Sequence, residues 1–382
     1  MKKMWVCLLT LLMVMSFAAG CGKKEEGQAA VETNKKENPE NSEEDYSVAM
    51  VIAGALGDKG FNDNAKAGLD KAVEEFGIQS QVVELPSSDK TKFEPTLLDL
   101  SDSGKYDLIM VAGNSMREVL EKVAVEYPEQ RFYLYDASVN YDNGEFPNVY
   151  CNTFLQNEAS FLAGIVAASM TSSDLPNANA EKIVGNVLMM DMAVINDFMV
   201  GFIEGCQYAD SEVKVNTAYI GAVDAAKAKD MAISMYQQNA DVVFQVAASA
   251  GLGVIEGAKE SGRYVIGVDQ DQAMVLMEED PDAANRILTS VLKRTDVAIY
   301  RILDKAVNDP DSIAWGTSEA LGMEEECVGI AKTDVYQKMV NEEVRKKVDE
   351  AETKIASGEI KVGSAYGMET DEITELRNSV KP

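Results

Sequence analysis

Short runs of apolar, often β-branched residues alternate with amphipathic stretches along the chain from Ser47 onward. The runs contain few polar residues, which is typical of strands that are covered on both faces of a parallel sheet. Between them, apolar residues recur at the spacing of a helix, as at Ala65, Leu69 and Phe76. The pattern therefore predicts an α/β protein made of repeated strand and helix units.

The predicted elements form two series. The first has strands at 47–53, 81–85, 107–112 and 131–136, with helices over 65–76, 91–102 and 115–126. The second begins with an apolar helix at 157–170 and continues with strands at 182–190, 213–220, 241–247 and 264–269. Two series predict two doubly wound parallel-sheet lobes. The length of 382 residues also exceeds what one hydrophobic core normally serves.

Polar residues and glycines follow most of the predicted strands. Ligands of open parallel sheets bind beyond the carboxyl ends of the strands, so these positions predict a binding cleft. For any single Asp or Asn, capping of the next helix is the commoner role. As a set, they favour a cleft that holds hydrogen-bonding groups. The positions are Asp58, Asn62, Asn114, Asp136, Asp191, Gly251, Asp269 and Asp271, and Phe61 lies in the same loop as the first two.

The N-terminus has the pattern of a targeting segment. Two lysines precede an apolar run, and Ala-Ala-Gly precedes Cys21. The run is shorter than the roughly 20 residues that span a bilayer, so residues 1–20 predict a secretory signal. The Ala-Ala-Gly-Cys site resembles the bacterial lipobox, whose cysteine carries lipid. An ordinary secretory signal is the alternative. Residues 21–46 are rich in Lys, Glu and Asn, which predicts a disordered tether.

Charge and composition exclude several classes of function. Lys and Arg total 35 against 64 for Asp and Glu, and the net charge of −29 disfavours nucleic acid as a partner. The chain contains no His, which excludes the Ser-His-Asp triad and any His-ligated metal site. Cys151, Cys206 and Cys327 lack the close spacing of a metal or redox pair, so we expect them to be buried. We expect no metal and no cofactor.

One glycine-rich segment imitates a dinucleotide-binding fingerprint. Gly251, Gly253 and Gly257 follow a predicted strand, and two aspartates lie further on. The segment belongs to a late strand of the second lobe, whereas the fingerprint opens the first strand–helix turn of a sheet. Asp269 and Asp271 would point to one face of an extended segment. A carboxylate-based nucleoside hydrolase that also uses Asp58 is therefore a minor alternative.

Seven segments occur in an order that resembles a known family. They are GDKGFNDNAKAGL (57–69), YPEQRFYLYD (127–136), EASFLAG (158–164), NDFMVGFIEG (196–205), ADVVFQVAASAGLGV (240–254), IGVDQDQ (266–272) and ILTSVLKRTDVAI (287–299). The chain resembles the basic membrane protein family, which includes the purine nucleoside receptor lipoproteins of bacterial ABC transporters. The resemblance implies a type I periplasmic-binding-protein fold with three crossover strands, near 150–156, 284–288 and 318–324. Lobe 1 would comprise 47–153 and 288–320, and lobe 2 would comprise 154–287 and 321–382.

The resemblance also implies a set of ligand-binding residues. Asp58, Phe61 and Asn62 match the family's first-lobe binding loop. Asp271, with Asp269 beside it, matches the aspartate that holds ribose hydroxyls, and Lys293 matches the lysine that completes the sugar site. A carboxylate can accept two hydrogen bonds from a vicinal diol, and a neighbouring lysine keeps that carboxylate ionised.

Two positions depart from the family pattern. Members often carry an aromatic residue where this chain has Lys66, and another where it has Val223. These two aromatic side chains would sandwich the base. Phe61, Phe198 or Trp315 could compensate for them. The carboxylate end of the implied site is kept and the base end is altered.

The sequence thus predicts an extracytoplasmic substrate-binding protein, not an enzyme, held on the cell membrane by a lipid (palmitate) on Cys21. It would bind a nucleoside or a related small polar ligand in the cleft and pass it to an ABC permease. We expect a monomer. The alternatives are a ligand sensor on the same fold, or a non-nucleoside ligand such as riboflavin or a sugar.

Overall fold

The computed structural model describes residues 46–142, 144–173 and 176–382. The predicted signal peptide, the predicted lipidation site Cys21 and all of the predicted tether except Tyr46 lie outside the described residues. The elements below belong to the unit that begins at Asp45 and ends at Pro382.

Strands and helices alternate along the described part of the chain. The strands are β1 Ser47–Ala53, β2 Gln79–Leu85, β3 Leu108–Ala112, β4 Arg131–Tyr135, β5 Val149–Phe154, β6 Ile183–Leu188, β7 Lys214–Tyr219, β8 Ala240–Val246, β9 Tyr264–Asp269, β10 Ile287–Lys293, β11 Thr317–Leu321 and β12 Val328–Ile330. The first seven α-helices are α1 Phe61–Phe76, α2 Phe93–Asp102, α3 Asn114–Glu126, α4 Gln156–Thr171, α5 Ala193–Ala209, α6 Ala225–Gln237 and α7 Gly251–Ser261. They are followed by α8 Gln272–Leu276, α9 Pro281–Ala284, α10 Thr295–Asn308, α11 Asp334–Met339, α12 Glu342–Ala356 and α13 Thr370–Ser379.

The strands form two six-stranded sheets. The first has the order β11-β5-β4-β3-β1-β2, and all of its pairs are parallel. The second has the order β12-β10-β9-β8-β6-β7 and is parallel except for the antiparallel pair β10–β12. Helices cover both faces of each sheet, because near-continuous apolar strands must be buried on both sides. The predicted fold of two parallel-sheet α/β lobes is confirmed.

Each sheet has a separate apolar layer on each face. In the first lobe, α2 and α3 cover one face of the sheet, and α1 packs with α10 on the other. In the second lobe, α4 and α5 cover one face and α6 and α7 the other. Close packing of α4 on α5 depends on Gly205, where a Cβ would overlap the backbone of Phe161. The two lobes therefore have cores of their own.

The chain passes between the two sheets three times. It crosses from β5 to α4, from β10 to α10, and from β11 to β12. The sequence analysis placed the second crossing at 284–288 and assigned residues 288–320 to the first lobe. In the structure, residues 287–293 form a strand of the second sheet, and the first lobe resumes only with α10. Pairing of β10 with both β9 and β12 accounts for the difference.

The described residues contain further features that bear on function. No helix among them is long and apolar enough to cross a membrane. Within the same ranges, no group of three or more Cys, Asp or Glu side chains is arranged to hold a metal ion. Cys151, Cys206 and Cys327 are buried free thiols.

Candidate functional site

Four charged side chains meet where strands of the two sheets end. Asp58 lies in the loop after β1, Asp136 follows β4, and Asp269 and Lys293 are the last residues of β9 and β10. In the parallel pair of β10 with β9, Leu292 lies opposite Asp269, so Lys293 is one residue beyond it. Because carboxyl ends of parallel strands share one edge of a sheet, the sheets bring these residues together across the cleft.

Lys293 is at the centre of this cluster. Its side chain is almost fully buried and its ammonium forms an ion pair with Asp136 of the first lobe. The nitrogen lies 5.7 Å from the ring centroid of Phe61, 5.3 Å from that of Phe154 and 5.3 Å from that of Phe198. Aromatic ring faces attract a desolvated cation, and the carboxylate balances its charge. The pair joins the lobes beside the second crossing.

Asp269 has a buried carboxylate to which no described residue donates a hydrogen bond. Asp269 is 7% exposed. Burial raises the pKa of Asp269 from 3.8 to about 7, Lys293 acts in the opposite direction, and the negative charges of Asp58 and Asp136 add to the increase. An ionised carboxylate in such surroundings is stabilised by any hydroxyl or amine that donates to it. The site is therefore poised to accept hydrogen bonds from a ligand.

Asp136 and Asp269 both have left-handed backbone, with φ of 60° and 69°. This region is uncommon for residues with a Cβ, and Asp and Asn enter it more readily than most. In both cases the unusual conformation directly ends a strand at the cleft. Burial also raises the pKa of Asp136, while Lys293 lowers it. The ion pair between Asp136 and Lys293 is stable only as long as both partners are present.

Asp58 and Asn62 shape the first-lobe loop. The Asp58 carboxylate accepts hydrogen bonds from the backbone N–H groups of Gly60 (3.1 Å), Asn62 (3.0 Å) and Asp63 (3.2 Å). Asn62 Nδ2 donates to the carbonyl of Ala55 at 3.1 Å. These bonds satisfy the free amides at the start of α1. The polar atoms of both side chains are thus engaged within the loop, and their contact with a ligand stays a prediction.

Asp271 has a capping position. Its carboxylate accepts a hydrogen bond from the N–H of Met274 at 3.1 Å, which caps α8, and one from Thr333 Oγ1 at 2.6 Å. Asp269 instead interacts electrostatically with Lys293. Of the two aspartates that the sequence analysis considered together, Asp269 is the one that belongs to the charged cluster.

The remaining predicted positions lie at helix starts near the same sheet edges. Asn114 is the first residue of α3, and Gly251 is the first residue of α7. A Cβ at Gly251 would overlap the side-chain amide of Gln245. Gln245 Nε2 donates to Gln272 Oε1 at 2.8 Å. Gly251 therefore serves the packing of this buried amide pair.

The lobes contact each other across the cleft. Lys59 of the first lobe forms an ion pair with Glu279 of the second, and its carbonyl accepts a hydrogen bond from Gln272 Nε2 at 3.3 Å. A Cβ at Gly60 would lie 3.3 Å from Asp269 Oδ2, so the loop backbone packs directly on that carboxylate. These contacts describe a closed arrangement in which Asp269 is covered.

Aromatic residues surround part of the cleft, but only two of the three that could compensate for the missing clamp lie there. Phe61 stacks on Tyr135 with ring centroids 5.8 Å apart, and Phe198 lies beside Lys293. Trp315 cannot line the cleft. The guanidinium of Arg131, the first residue of β4, stands over its ring at 4.8 Å, which places Trp315 at the opposite end of that strand from Asp136.

The two departures from the family pattern are both outside the charged cluster. Lys66 lies on α1, where it forms an ion pair with Asp70 at 2.5 Å. Val223 is 55% exposed in the loop after β7. Neither supplies an aromatic face for a ligand.

Sequence reasoning missed Asp197, a buried carboxylate on α5. It accepts hydrogen bonds from Gln156 Nε2 (2.7 Å), Ser364 Oγ (2.6 Å) and the N–H of Ala365 (2.9 Å). Burial raises the pKa of Asp197, and these partners together with Lys293 lower it. A search limited to the ends of predicted strands cannot find a residue inside a helix. The signal was an acidic residue within the apolar segment AVINDFMVGF.

Comparisons of the sequence with known proteins agree on one family. The family described as ABC transporter substrate-binding protein PnrA-like matches residues 46–365. Basic membrane protein A of Borreliella burgdorferi is 30% identical over 321 residues, which cover 83% of this chain and 87% of that protein. The CD4+ T-cell-stimulating antigen of Listeria innocua is 29% identical over 383 residues, 94% of this chain and 98% of that protein.

A solved structure extends the likeness to three dimensions. The ABC transporter solute-binding protein of Aeropyrum pernix K1 superposes with a TM-score of 0.75 at 28% identity, over 88% of this chain and 99% of that one. Both the family and this structure are described as solute- or substrate-binding proteins of ABC transporters. The chain belongs to the PnrA-like family of ABC transporter substrate-binding proteins.

Proposed function

We propose that this protein is an extracytoplasmic, lipid-anchored receptor that holds a nucleoside, or a related ribosyl or ribityl compound, and delivers it to an ABC importer. The observation that carries the choice of ligand is Asp269. It is a buried carboxylate with no hydrogen-bond donor among the described residues, and it lies within electrostatic reach of Lys293. The carboxylate therefore lacks hydrogen-bond donors, and a vicinal diol supplies two O–H groups.

The energetics favour a polyol over an apolar ligand. Hydrogen bonds to a charged group contribute about 1.5–3 kcal/mol each when sheltered. A ligand diol that donates to Asp269 also restores the ionised form, which burial disfavours. The ammonium of Lys293 remains within reach as a counter-charge and as a donor to a ligand oxygen. An apolar ligand would leave the carboxylate without a partner.

Aromatic rings beside the same cluster suit a flat ligand ring. Phe61 comes from the first lobe and Phe198 from the second, and both lie near Lys293. Stacking on an aromatic ring contributes about 1–3 kcal/mol per base in other systems. The family's usual clamp positions hold Lys66 and Val223 instead, so we expect broader base tolerance than strict purine recognition.

The lipid anchor is the part of the proposal that rests on sequence alone. Cys21 follows Ala-Ala-Gly and precedes a polar, acidic and basic segment that suits a tether. A single acyl chain binds a membrane only marginally, whereas a cysteine that carries two chains is held stably.

Calorimetric titration with paired nucleosides tests the proposal. Inosine and guanosine should bind the wild-type protein, and their 2′-deoxy forms should bind roughly tenfold to hundredfold more weakly, because one carboxylate oxygen then lacks a donor. Asp269→Ala should remove most of this preference. Asp271→Ala is the matched control, since its side chain caps α8, and it should preserve the ratio of affinities. Equal affinity for the ribo and deoxy forms would reject the diol site.

A further inference from the structure

The side-chain amide of Gln272 connects the two lobes. Gln272 begins α8 of the second lobe and is buried, and its Nε2 donates to the carbonyl of Lys59 in the first-lobe loop at 3.3 Å. Its Oε1 accepts from Gln245 Nε2 at 2.8 Å and from the N–H of Val268 at 3.1 Å. Because two N–H donors meet Oε1, the amide cannot turn over without losing both bonds. Nε2 is therefore directed toward the first lobe.

The second lobe holds this amide in place from several sides. The backbone N–H of Gln272 donates to Ser290 Oγ at 3.2 Å, and Gln245 Oε1 accepts from the N–H of Ala247 at 3.2 Å. Gln245, Gln272 and Ser290 are all buried. A Cβ at Gly267 of β9 would lie 2.7 Å from Gln272 Oε1, so the glycine leaves room for the amide. The position of the Nε2 donor is thus fixed by contacts within the second lobe.

The first lobe presents the acceptor in an equally fixed position. Lys59 has left-handed backbone, with φ of 47°, and its N–H donates to the carboxylate of Asp63 at 2.9 Å. The same carboxylate accepts from the N–H of Gly57 at 2.7 Å, and Asp58 accepts from the N–H groups that follow Lys59. Because donor and acceptor are both held before they meet, little conformational freedom is lost when the bond forms. The bond requires that the lobes lie together.

We infer that Gln272 is a latch between the lobes, which favours the closed cleft by holding the loop at Lys59 and does not touch the ligand. The same closure brings Gly60 onto Asp269, where a Cβ would lie 3.3 Å from Oδ2. A ligand that binds the closed cleft gains affinity from the latch, because the binding-competent fraction of the protein is larger. The effect on nucleoside affinity rests on the proposed function, whereas the effect on closure does not.

Two competing explanations make different predictions. If Gln272 serves only the packing of the second lobe, removing its donor lowers stability and leaves the distance between the lobes unchanged. If Gln272 contacts the ligand directly, affinity falls while the ligand-free lobes stay as they are. A latch has its own signature. The ratio of closed to open molecules falls without ligand, and the affinities for different ligands fall together.

Two substitutions remove the donor in different ways. Gln272→Met removes the whole amide, so the two N–H groups at Oε1 lose their acceptor as well. Gln272→Glu keeps an acceptor for them, and their donation favours its ionised form, so a carboxylate oxygen faces the Lys59 carbonyl. Gln207→Met is the matched control, because Gln207 Nε2 donates at 2.8 Å to the carbonyl of Val213, which belongs to the same lobe.

Fluorescence energy transfer between the lobes measures closure directly. Dyes are attached through unnatural amino acids at Val125 and Tyr208, which are exposed in the last turns of α3 and α5. Without ligand, the ratio of closed to open molecules should fall about twofold to tenfold in both Gln272 variants and stay unchanged in Gln207→Met. Calorimetry should show dissociation constants for inosine and 2′-deoxyinosine that rise by no more than this factor and keep their ratio.

Two results would overturn the inference. One is an unchanged ratio of closed to open molecules in Gln272→Glu, whatever happens to its stability. The other is a loss of affinity that exceeds the change in closure or differs between inosine and 2′-deoxyinosine, which would assign Gln272 to the ligand contact. Absence of nucleoside binding by the wild-type protein would reject the proposed function alone, since closure is measured without ligand.

Discussion

Replacing Asp269 by Asn should stabilise the ligand-free protein at neutral and alkaline pH. The carboxylate is buried, receives no hydrogen bond from the described residues and lies near the negative charges of Asp58 and Asp136. Asn has the same shape without the charge, and it tolerates the left-handed backbone of this position. The substitution therefore removes an electrostatic penalty and adds little strain.

The magnitude follows from the displaced pKa. Each pKa unit corresponds to about 1.36 kcal/mol, so a rise from 3.8 to about 7 means that ionised Asp269 costs the folded state about 4 kcal/mol. Because the pKa of this acid is higher in the folded state, folding takes up a proton between the two values. The wild type should therefore lose stability as pH rises from about 4 to about 7 and no more above that. The Asn variant lacks this contribution.

Urea unfolding of the two ligand-free proteins from acid to alkaline pH measures the effect. The stability of Asp269→Asn relative to wild type should be near zero at pH 4, rise through the interval and level off above pH 7 at up to about 4 kcal/mol. Asp271→Asn, at a carboxylate that caps α8 and accepts from Thr333, is the control and should not gain stability. A difference between Asp269→Asn and wild type that is constant across the pH range would refute the argument that Asp269 is buried without a partner.

The interlobe ion pairs and the N-terminal cysteine give three more expected outcomes. Lys293→Met should lower the free energy of unfolding by about 3–5 kcal/mol in urea at neutral pH, because it leaves the buried Asp136 without its counter-charge, and an unchanged midpoint would contradict this. Glu279→Gln should raise the ligand dissociation constant by less than about fivefold, with the effect vanishing at high salt, because the carboxylate that pairs with Lys59 is exposed to solvent; a salt-independent loss would count against a screened ion pair. Cys21→Ala should move the protein from the membrane fraction to the soluble fraction, and its retention in the membrane after a high-salt wash would exclude the lipid anchor.

The fold was largely predictable because its strands are continuous apolar runs. Predicted strands at 47–53 and 264–269 agree with β1 and β9 to the residue. The boundary between lobes near residue 288 was not predictable from local pattern. Strand β10 is followed at once by a helix of the other lobe, and only its long-range pairing with β9 and β12 shows which sheet it joins.

The site was predictable where it depends on strand ends and less so elsewhere. Asp136 and Asp269 each follow or end a strand, so the rule for parallel sheets finds them, whereas Lys293 was implied by the family resemblance. The separation of Asp269 from Asp271 requires knowledge of the turn, because a left-handed residue at the end of β9 sends the two side chains to different partners. Asp197 lies in the interior of a helix, and the alternation of strands and helices does not reveal which helical residues reach the site.

A crystal structure of the protein with bound inosine or guanosine tests the central claim most directly. The account predicts that the ribose hydroxyls donate to the carboxylate of Asp269, with O–O separations of about 2.5–3.0 Å, and that the ammonium of Lys293 lies beside the same sugar. It also predicts that Asp271 retains its bonds to Met274 and Thr333. A nucleoside bound through Asp271 with Asp269 still lacking a donor, or one bound outside the cleft, would contradict the account.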